Sequence, residues 1–194
     1  MRYDATLRLA DGRSLRIRSA EEADAKNVCD FFARTHEQTD YLLAYPEEKS
    51  FTIEQEGAFL QRLLESDREV MLLSEVDGVL CGCASVCAVG VKYKIRHRAE
   101  FGISVDKSFW GLGIGTKLTQ TAIDCAKTAG YRQLELDVVA DNNRALQMYE
   151  HAGFQEFGRN PMGFQSKASG DQTLVYMRPV SYTHLRAHET KANL

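Results

Sequence analysis

A glycine-rich run between a strand pattern and a helix pattern is the segment best suited to chemistry. It reads Phe109-Trp110-Gly111-Leu112-Gly113-Ile114-Gly115-Thr116-Lys117. Glycines let successive backbone N–H groups turn toward one point, and the start of a helix adds partial positive charge there. The run therefore predicts a diphosphate-binding loop whose donors are the amides of Leu112, Gly113, Ile114, Gly115 and Thr116. The alternative is a tight strand-to-helix turn that binds nothing.

Two common nucleotide-binding patterns do not fit this run. The dinucleotide fingerprint GxGxxG would need glycine where Thr116 stands, and its accompanying acid would fall at Glu135 or Asp137, inside the next strand. The ATP-type loop GxxxxGK[ST] needs a Gly-Lys pair before Ser or Thr, which the run lacks. A nucleotide-dependent oxidoreductase is therefore the more distant alternative.

The run resembles motif A of the GNAT superfamily of acyl-CoA N-acyltransferases, Q/R-x-x-G-x-G/A. Trp110 stands where that motif has Gln or Arg. We therefore expect the backbone amides, and not the side chain at position 110, to bind the phosphates. Trp110 is predicted to be a packing residue.

A second segment, residues 142–154, resembles the N-x-x-A-x-x-x-Y-x-x-x-G-F pattern of the same family. In such proteins the Asn contacts the pantetheine arm of the cofactor and the Tyr hydroxyl lies near the thioester sulfur. The resemblance implies these roles for Asn142 and Tyr149. Considered singly, Asn142 would be read as a helix cap and Tyr149 as a core aromatic.

The resemblance implies direct transfer of an acetyl group from acetyl-CoA to a primary amine. The pantetheine arm would lie beside the strand before motif A, so that Ile103, Ser104 and Val105 bind the cofactor. The backbone N–H of Ile103 or Val105 would point at the thioester oxygen. Tyr149 is the expected general acid for the departing thiolate.

Glu100 is the candidate general base, because a carboxylate there can relay a proton from the acceptor ammonium through a water. It could instead be a sheet-face charge or a partner of Arg98. A cysteine nucleophile is less favoured, because Cys125 falls on a buried helix stripe and Cys83 and Cys87 lack a clear base. A non-catalytic acyl-CoA-binding sensor or regulatory domain is the main alternative to an enzyme.

In this family, acceptor specificity lies in the first two helices and the late hairpin. Here these regions contain Tyr41, Tyr45, Glu47, Glu48, Phe51, Phe164 and Gln165. The acidic and aromatic residues would suit a cationic amine, although a solvated loop explains them equally well. The acceptor stays open among small amines, amino acids, polyamines, antibiotics and protein N-termini.

The elements that position these residues read as an α/β protein: a GNAT-like mixed central sheet with flanking helices in a single domain. Apolar alternation predicts strands at 5–9, 14–18, 70–76, 79–89, 99–105, 134–139, 154–157 and 173–177. Helical spacing predicts helices after Ser19, from about Thr52, at 115–129 and after Asn142. The domain is predicted to span 1–180, and 181–194 reads as a non-native or disordered tail.

Composition fits one globular domain of 194 residues with a formal net charge of -3. This charge predicts no nucleic-acid partner, although Lys92–Arg98 is a local basic segment. Without an apolar span or signal region, we expect a cytoplasmic protein that does not bind membranes, a monomer or homodimer.

The five cysteines are predicted to be reduced. Cys81, Cys83 and Cys87 share strand parity and would line one face of a strand. They read as small core residues, because ligands spaced along a single strand do not converge on one ion. His184 and His188 would bind metal only if the tail were helical, so we predict no metal.

Overall fold

The computed structural model describes residues 1–48 and 51–180. Its helices are α1 (Ala25–Gln38), α2 (Ile53–Glu65), α3 (Ile114–Thr128) and α4 (Asn143–His151). Its strands are β1 (Asp4–Arg8), β2 (Ser14–Ser19), β3 (Val70–Val76), β4 (Val79–Ala88), β5 (Arg98–Val105), β6 (Gln133–Val139), β7 (Phe154–Ser166) and β8 (Gly170–Pro179). The predicted tail, 181–194, lies outside the described residues.

The strands form one sheet in the order β1-β2-β3-β4-β5-β6-β8-β7. Every neighbouring pair is antiparallel except β5 and β6, which are parallel. The prediction of a mixed α/β sheet with flanking helices is therefore confirmed. Within the described ranges, no helix has both the length and the apolarity needed to span a bilayer.

The sheet carries a hydrophobic cluster on each face. Successive residues of β3 alternate between the clusters: Leu72 packs with α3, whereas Met71 and Leu73 pack with α1 and α2. We call these the α3 face and the α1/α2 face. Tyr149 of α4 belongs to the α3-face cluster.

The helix boundaries follow local signals in the sequence. Thr52 caps α2 in a capping box with Gln55. Asn142 caps α4 by accepting a hydrogen bond from the backbone N–H of Ala145 at 3.2 Å. Both caps lie where the sequence predicts them.

The expectation that Cys81, Cys83 and Cys87 share one face is wrong. A register shift opposite Ser74 and Glu75 inserts an extra residue into β4, so Cys81 joins the α3-face cluster while Cys83 joins the other. Gly82 lies at this bulge, where a Cβ atom would lie 2.9 Å from a methyl carbon of Leu118. Close packing of α3 on β4 thus explains the glycine at position 82, and the bulge beside it separates two cysteines that strand parity would place on one face.

The last hairpin is longer than predicted. β7 runs from Phe154 to Ser166, whereas the sequence pattern ended at Phe157. Its register shifts twice against β8 and it contains Pro161. A solvent-exposed edge strand needs no alternation of apolar residues, and therefore it left no pattern to detect.

Candidate active site

The parallel pair β5 and β6 separates soon after it forms. The ladder comprises three pairs and ends at Glu100 opposite Glu135. Beyond that point β5 stays paired with β4 and β6 stays paired with β8. We call the space between the two diverging strands the β5–β6 opening.

The hydrogen bonds to β4 show which backbone groups of β5 face this opening. Asp106 N donates to Cys81 O at 3.0 Å and Val89 N donates to Arg98 O at 3.2 Å. In an antiparallel ladder such bonds recur at every second residue, so the groups of Glu100, Gly102 and Ser104 are directed toward β4. The N–H and C=O groups of Phe101, Ile103 and Val105 are directed toward the opening.

This geometry divides the three predicted cofactor residues of β5. Ile103 and Val105 present their backbone N–H groups to the β5–β6 opening, which is the orientation predicted for a thioester-oxygen donor. Ser104 directs its N–H toward β4, and its side chain is buried. These features place Ser104 against β4, and its contact with the cofactor stays a prediction.

The glycine loop (Trp110–Thr116) begins shortly after the end of β5 and runs into the first turn of α3. Gly111 and Gly113 have positive φ angles of 85° and 78°, which only glycine adopts without strain. Gly113 is the N-cap of α3, and its carbonyl accepts from Lys117 N at 3.1 Å.

The amides of this loop are free to bind a ligand. Within the described part of the chain, no group accepts a hydrogen bond from the backbone N–H groups of residues 112–116. Five donors at the N-terminus of a fifteen-residue helix form a site suited to an anion. The structure thus brings together the predicted donors Leu112, Gly113, Ile114, Gly115 and Thr116.

Gly115 is glycine for a different reason from its two predecessors. A Cβ atom there would lie 2.8 Å from Sδ of Met148. The close approach of α4 to the first turn of α3 therefore takes the space that a side chain would need.

Trp110 has more contacts than the predicted packing role requires. Its indole Nε1 donates to the carbonyl oxygen of Val105 at 2.8 Å. The guanidinium carbon of Arg144 lies 4.4 Å from the centroid of its ring, and Nζ of Lys107 lies 5.9 Å from it. The indole thus closes the end of β5 and supports a cation from α4.

Asn142 caps α4 in a way that is compatible with the cofactor contact predicted for it. Its Oδ1 accepts from Ala145 N at 3.2 Å, so the helix cap is real. The cap uses only the carbonyl half of the amide, and the NH₂ group still has two donors. Capping therefore positions this side chain without preventing a contact to the pantetheine arm.

Tyr149 is buried on α4 and packs against the aromatic rings of Phe101 and Phe154, with centroids 6.2 and 5.8 Å away. Its hydroxyl makes no hydrogen bond with any residue that the structure describes. Burial, with a smaller contribution from Asp137, raises the pKa of Tyr149 above its usual value. The phenol therefore keeps its proton, as a general acid must.

Glu100 lies at the apex of the β5–β6 opening. Arg98 pairs with Glu135 instead, with Nη2 to Oε2 at 2.6 Å, so the proposed Arg98–Glu100 bridge does not form. Glu100 is exposed on the α1/α2 face, cross-strand from Cys87. Its carboxylate is thus accessible from the side opposite α3 and the glycine loop.

The end of α1 is attached, through Asp106, to the segment that connects β5 to the glycine loop. This carboxylate is 3% exposed and accepts from Arg34 Nε at 2.6 Å and Gln38 Nε2 at 3.2 Å. Gln38 Oε1 in turn accepts from Lys107 N at 2.8 Å. Sequence reasoning missed this network, because its polar partners lie about seventy residues apart and share no local pattern.

The two segments predicted to select the acceptor meet in the structure. Tyr45, between α1 and α2, accepts from Lys167 N of the late hairpin at 2.7 Å, and Lys167 Nζ pairs with Glu47. Tyr41 reaches the carbonyl of Asp141 beside α4 at 3.4 Å. Phe164 and Gln165 lie on β7 of the same hairpin.

The thiols have no features of a nucleophile. Burial raises the pKa of Cys83 and Cys87, and raises that of Cys125 to about 11. No cluster of three or more metal-ligating side chains occurs among the residues described.

Comparison with known proteins gives a consistent result. The acetyltransferase (GNAT) family profile matches residues 26–154. The chain is 35% identical over 104 residues to an uncharacterised N-acetyltransferase of Methanocaldococcus jannaschii, covering 50% of this chain and 44% of that protein. It is 30% identical over 101 residues to the N-alpha-acetyltransferase RimI of Mycobacterium tuberculosis, covering 52% of this chain and 61% of that one. The chain thus spans less than two thirds of either relative.

Among solved structures, an acetyltransferase of the GNAT family from Streptococcus pneumoniae superposes with a TM-score of 0.81 at 28% identity. That match covers 84% of this chain and 98% of the other. The likeness therefore extends over nearly the whole of a solved protein of this fold.

Proposed function

Because the chain belongs to the acetyltransferase (GNAT) family, we propose that it transfers an acetyl group from acetyl-CoA to a primary amine. The observation that carries the proposal is the set of unpaired amides in the glycine loop beside the part of the β5 edge that β6 does not cover. A diphosphate fits the loop, and an extended amide-bearing chain fits the edge. Coenzyme A contains both groups.

In this proposal the amides of residues 112–116 bind the diphosphate. The pantetheine arm lies in the β5–β6 opening, where its amides pair with the backbone of β5 and contact the side-chain NH₂ of Asn142. Acetyl-CoA supplies the acetyl group as a thioester. The N–H groups of Ile103 and Val105 face the opening and are the candidates to stabilise the thioester oxygen.

Proton transfer is assigned to two side chains on different elements. Glu100 takes a proton from the acceptor ammonium through a water, so that the neutral amine can attack the thioester carbon. The C–N bond forms as the C–S bond breaks, the Tyr149 hydroxyl donates its proton to the sulfur, and the acylated nitrogen loses its second proton to water, which leaves a neutral amide. Solvent then returns a proton to Tyr149 and removes one from Glu100.

The acceptor is expected to approach from the α1/α2 face. Glu100 is exposed on that face, and α3 with the glycine loop lies on the other. In this proposal the segment around Tyr45 and the late hairpin, which the Tyr45–Lys167 hydrogen bond joins, contact the acceptor. Glu48 beside it favours a cationic acceptor, whereas the charge of Glu47 is already paired with Lys167.

Calorimetry with CoA and acetyl-CoA, followed by a free-thiol assay across an amine panel, tests the proposal. We expect binding of both nucleotides and release of CoA with at least one amine. Binding without thiol release from any amine would favour the acyl-CoA sensor. Absence of binding by correctly folded protein would refute the assignment.

A further inference from the structure

We propose that Arg144, held against Trp110, binds a phosphate group of coenzyme A and supplies the charge that the glycine loop lacks at position 110. The inference rests on the proposed use of acetyl-CoA and adds a cofactor-binding residue to it. It follows from the position of Arg144, from the partners it lacks and from the support of its guanidinium.

Arg144 lies beside the glycine loop because of its place on α4. It precedes Met148 by four residues, so both side chains project from the same face of the helix. Met148 approaches Gly115 so closely that a Cβ there would be 2.8 Å from its sulfur. The guanidinium is thus one helical turn from the first turn of α3.

Trp110 determines where the guanidinium rests. The guanidinium carbon lies 4.4 Å from the ring centroid, and the indole is itself fixed by its hydrogen bond to Val105 O. A guanidinium stacked on an aromatic face keeps its N–H edge available for a planar, two-point contact with phosphate. Trp110 is therefore a positioning residue for Arg144.

The charge of Arg144 is not neutralised within the protein. No carboxylate of the described chain lies within ion-pair distance of it, and the side chain is exposed. Lys107 Nζ lies 5.9 Å from the same indole. Two cations beside the unpaired amides of the glycine loop create a local positive region in a chain of net charge -3.

The test compares Arg144→Gln with Arg96→Gln by calorimetry with CoA and dephospho-CoA. Arg96 is a matched control, because its guanidinium carbon lies 4.5 Å from the ring centroid of Tyr93 in the loop between β4 and β5. Both substitutions remove one stacked cation and change net charge equally. We expect Arg144→Gln to weaken CoA binding about tenfold, with a smaller dependence on salt, and Arg96→Gln to change it by less than about twofold.

Dephospho-CoA identifies the phosphate concerned. If Arg144→Gln loses equal affinity for CoA and dephospho-CoA, Arg144 binds the diphosphate. If it loses affinity for CoA alone, Arg144 binds the 3′-phosphate. Wild-type binding of CoA with no larger loss in Arg144→Gln than in Arg96→Gln overturns the inference and leaves the proposed function intact. Absence of wild-type binding overturns both.

The positioning role of Trp110 has its own readout. Trp110→Leu should weaken CoA binding by a similar factor, and adding Arg144→Gln should then cost less than it does in the wild type. Fully additive losses would show that Trp110 does not act through Arg144. Melting curves of each variant establish that the fold is retained.

Discussion

Gly115 and Met148 occupy one space at the junction of α3 and α4, since a Cβ on the glycine would lie 2.8 Å from the methionine sulfur. Gly113, two residues earlier, has open space around it but a φ of 78°. One glycine thus accommodates a neighbouring side chain, and the other adopts a backbone conformation that strains other residues.

This contrast predicts different costs for two alanine substitutions. Gly113→Ala should lower the free energy of unfolding by about 1–2 kcal/mol, because a left-handed backbone strains any residue with a Cβ. Gly115→Ala should lower the free energy of unfolding by less than about 1 kcal/mol, because the flexible end of Met148 can shift and alanine favours the helix. Urea unfolding of both variants measures this, and equal losses would contradict the distinction.

Tyr149→Phe should reduce turnover by about tenfold to a hundredfold while CoA affinity changes by less than about threefold. The ring packing on Phe101 and Phe154 survives, and only the proton donor is lost. Because burial raises the pKa of Tyr149, wild-type turnover should not fall through ionisation of this group below about pH 10. Steady-state kinetics measures the turnover and its pH dependence, and calorimetry measures the CoA affinity. An equal loss of turnover and of CoA affinity would count against the general acid.

Glu100→Gln should lower turnover most at neutral pH, because a base is needed only while the acceptor is an ammonium. The deficit should shrink as pH approaches the pKa of the amine. Glu65→Gln, at the end of α2, is a control that removes the same charge away from the opening. A deficit independent of pH, or one shared by the control, would exclude the base role.

Cys87→Ala should retain turnover within about twofold. This thiol is cross-strand from Glu100, and burial raises its pKa, so it is mostly protonated at neutral pH. Mass spectrometry after exposure to acetyl-CoA should show no acetylated cysteine. An acetyl-enzyme that disappears with this substitution would replace direct transfer by a covalent route.

Glu135→Gln should destabilise the protein by about 1 kcal/mol at pH 7. Its hydrogen bond with Arg98 lowers the pKa of Glu135 from the ordinary 4.5. A carboxylate whose pKa is lower in the folded state contributes stability that is complete above pH 4.5 and lost as pH falls through the folded value. The wild-type advantage in urea unfolding should therefore diminish in acid; an advantage that persists there would assign it to another contact.

The order and type of most elements could be predicted from sequence, because caps, turns and apolar periodicity are local. Thr52 and Asn142 mark their helices, and the glycine loop was identified by its residues alone. The separation of β5 from β6 has no such signal. It follows from the pairing of each strand with its other neighbour, which is a property of the whole sheet.

The contacts that were missed join residues far apart in the chain. Arg144 lies thirty-four positions after Trp110, and no local pattern in either segment predicts that the guanidinium stacks on the indole. The replacement of the usual Gln or Arg by Trp110 is the local signal from which a cation on another element could be predicted. The Asp106 network offers no comparable hint.

The outer rims of the sheet are formed by β1 and by the irregular, proline-containing β7. The other bare main-chain edges therefore lie within the molecule, where β4 and β8 hold β5 and β6 apart. A strand from another protein cannot pair with an edge that lies between two strands of this sheet. The fold thus leaves the backbone donors and acceptors of β5 accessible to a narrow ligand, and it prevents these groups from pairing with another chain and causing aggregation.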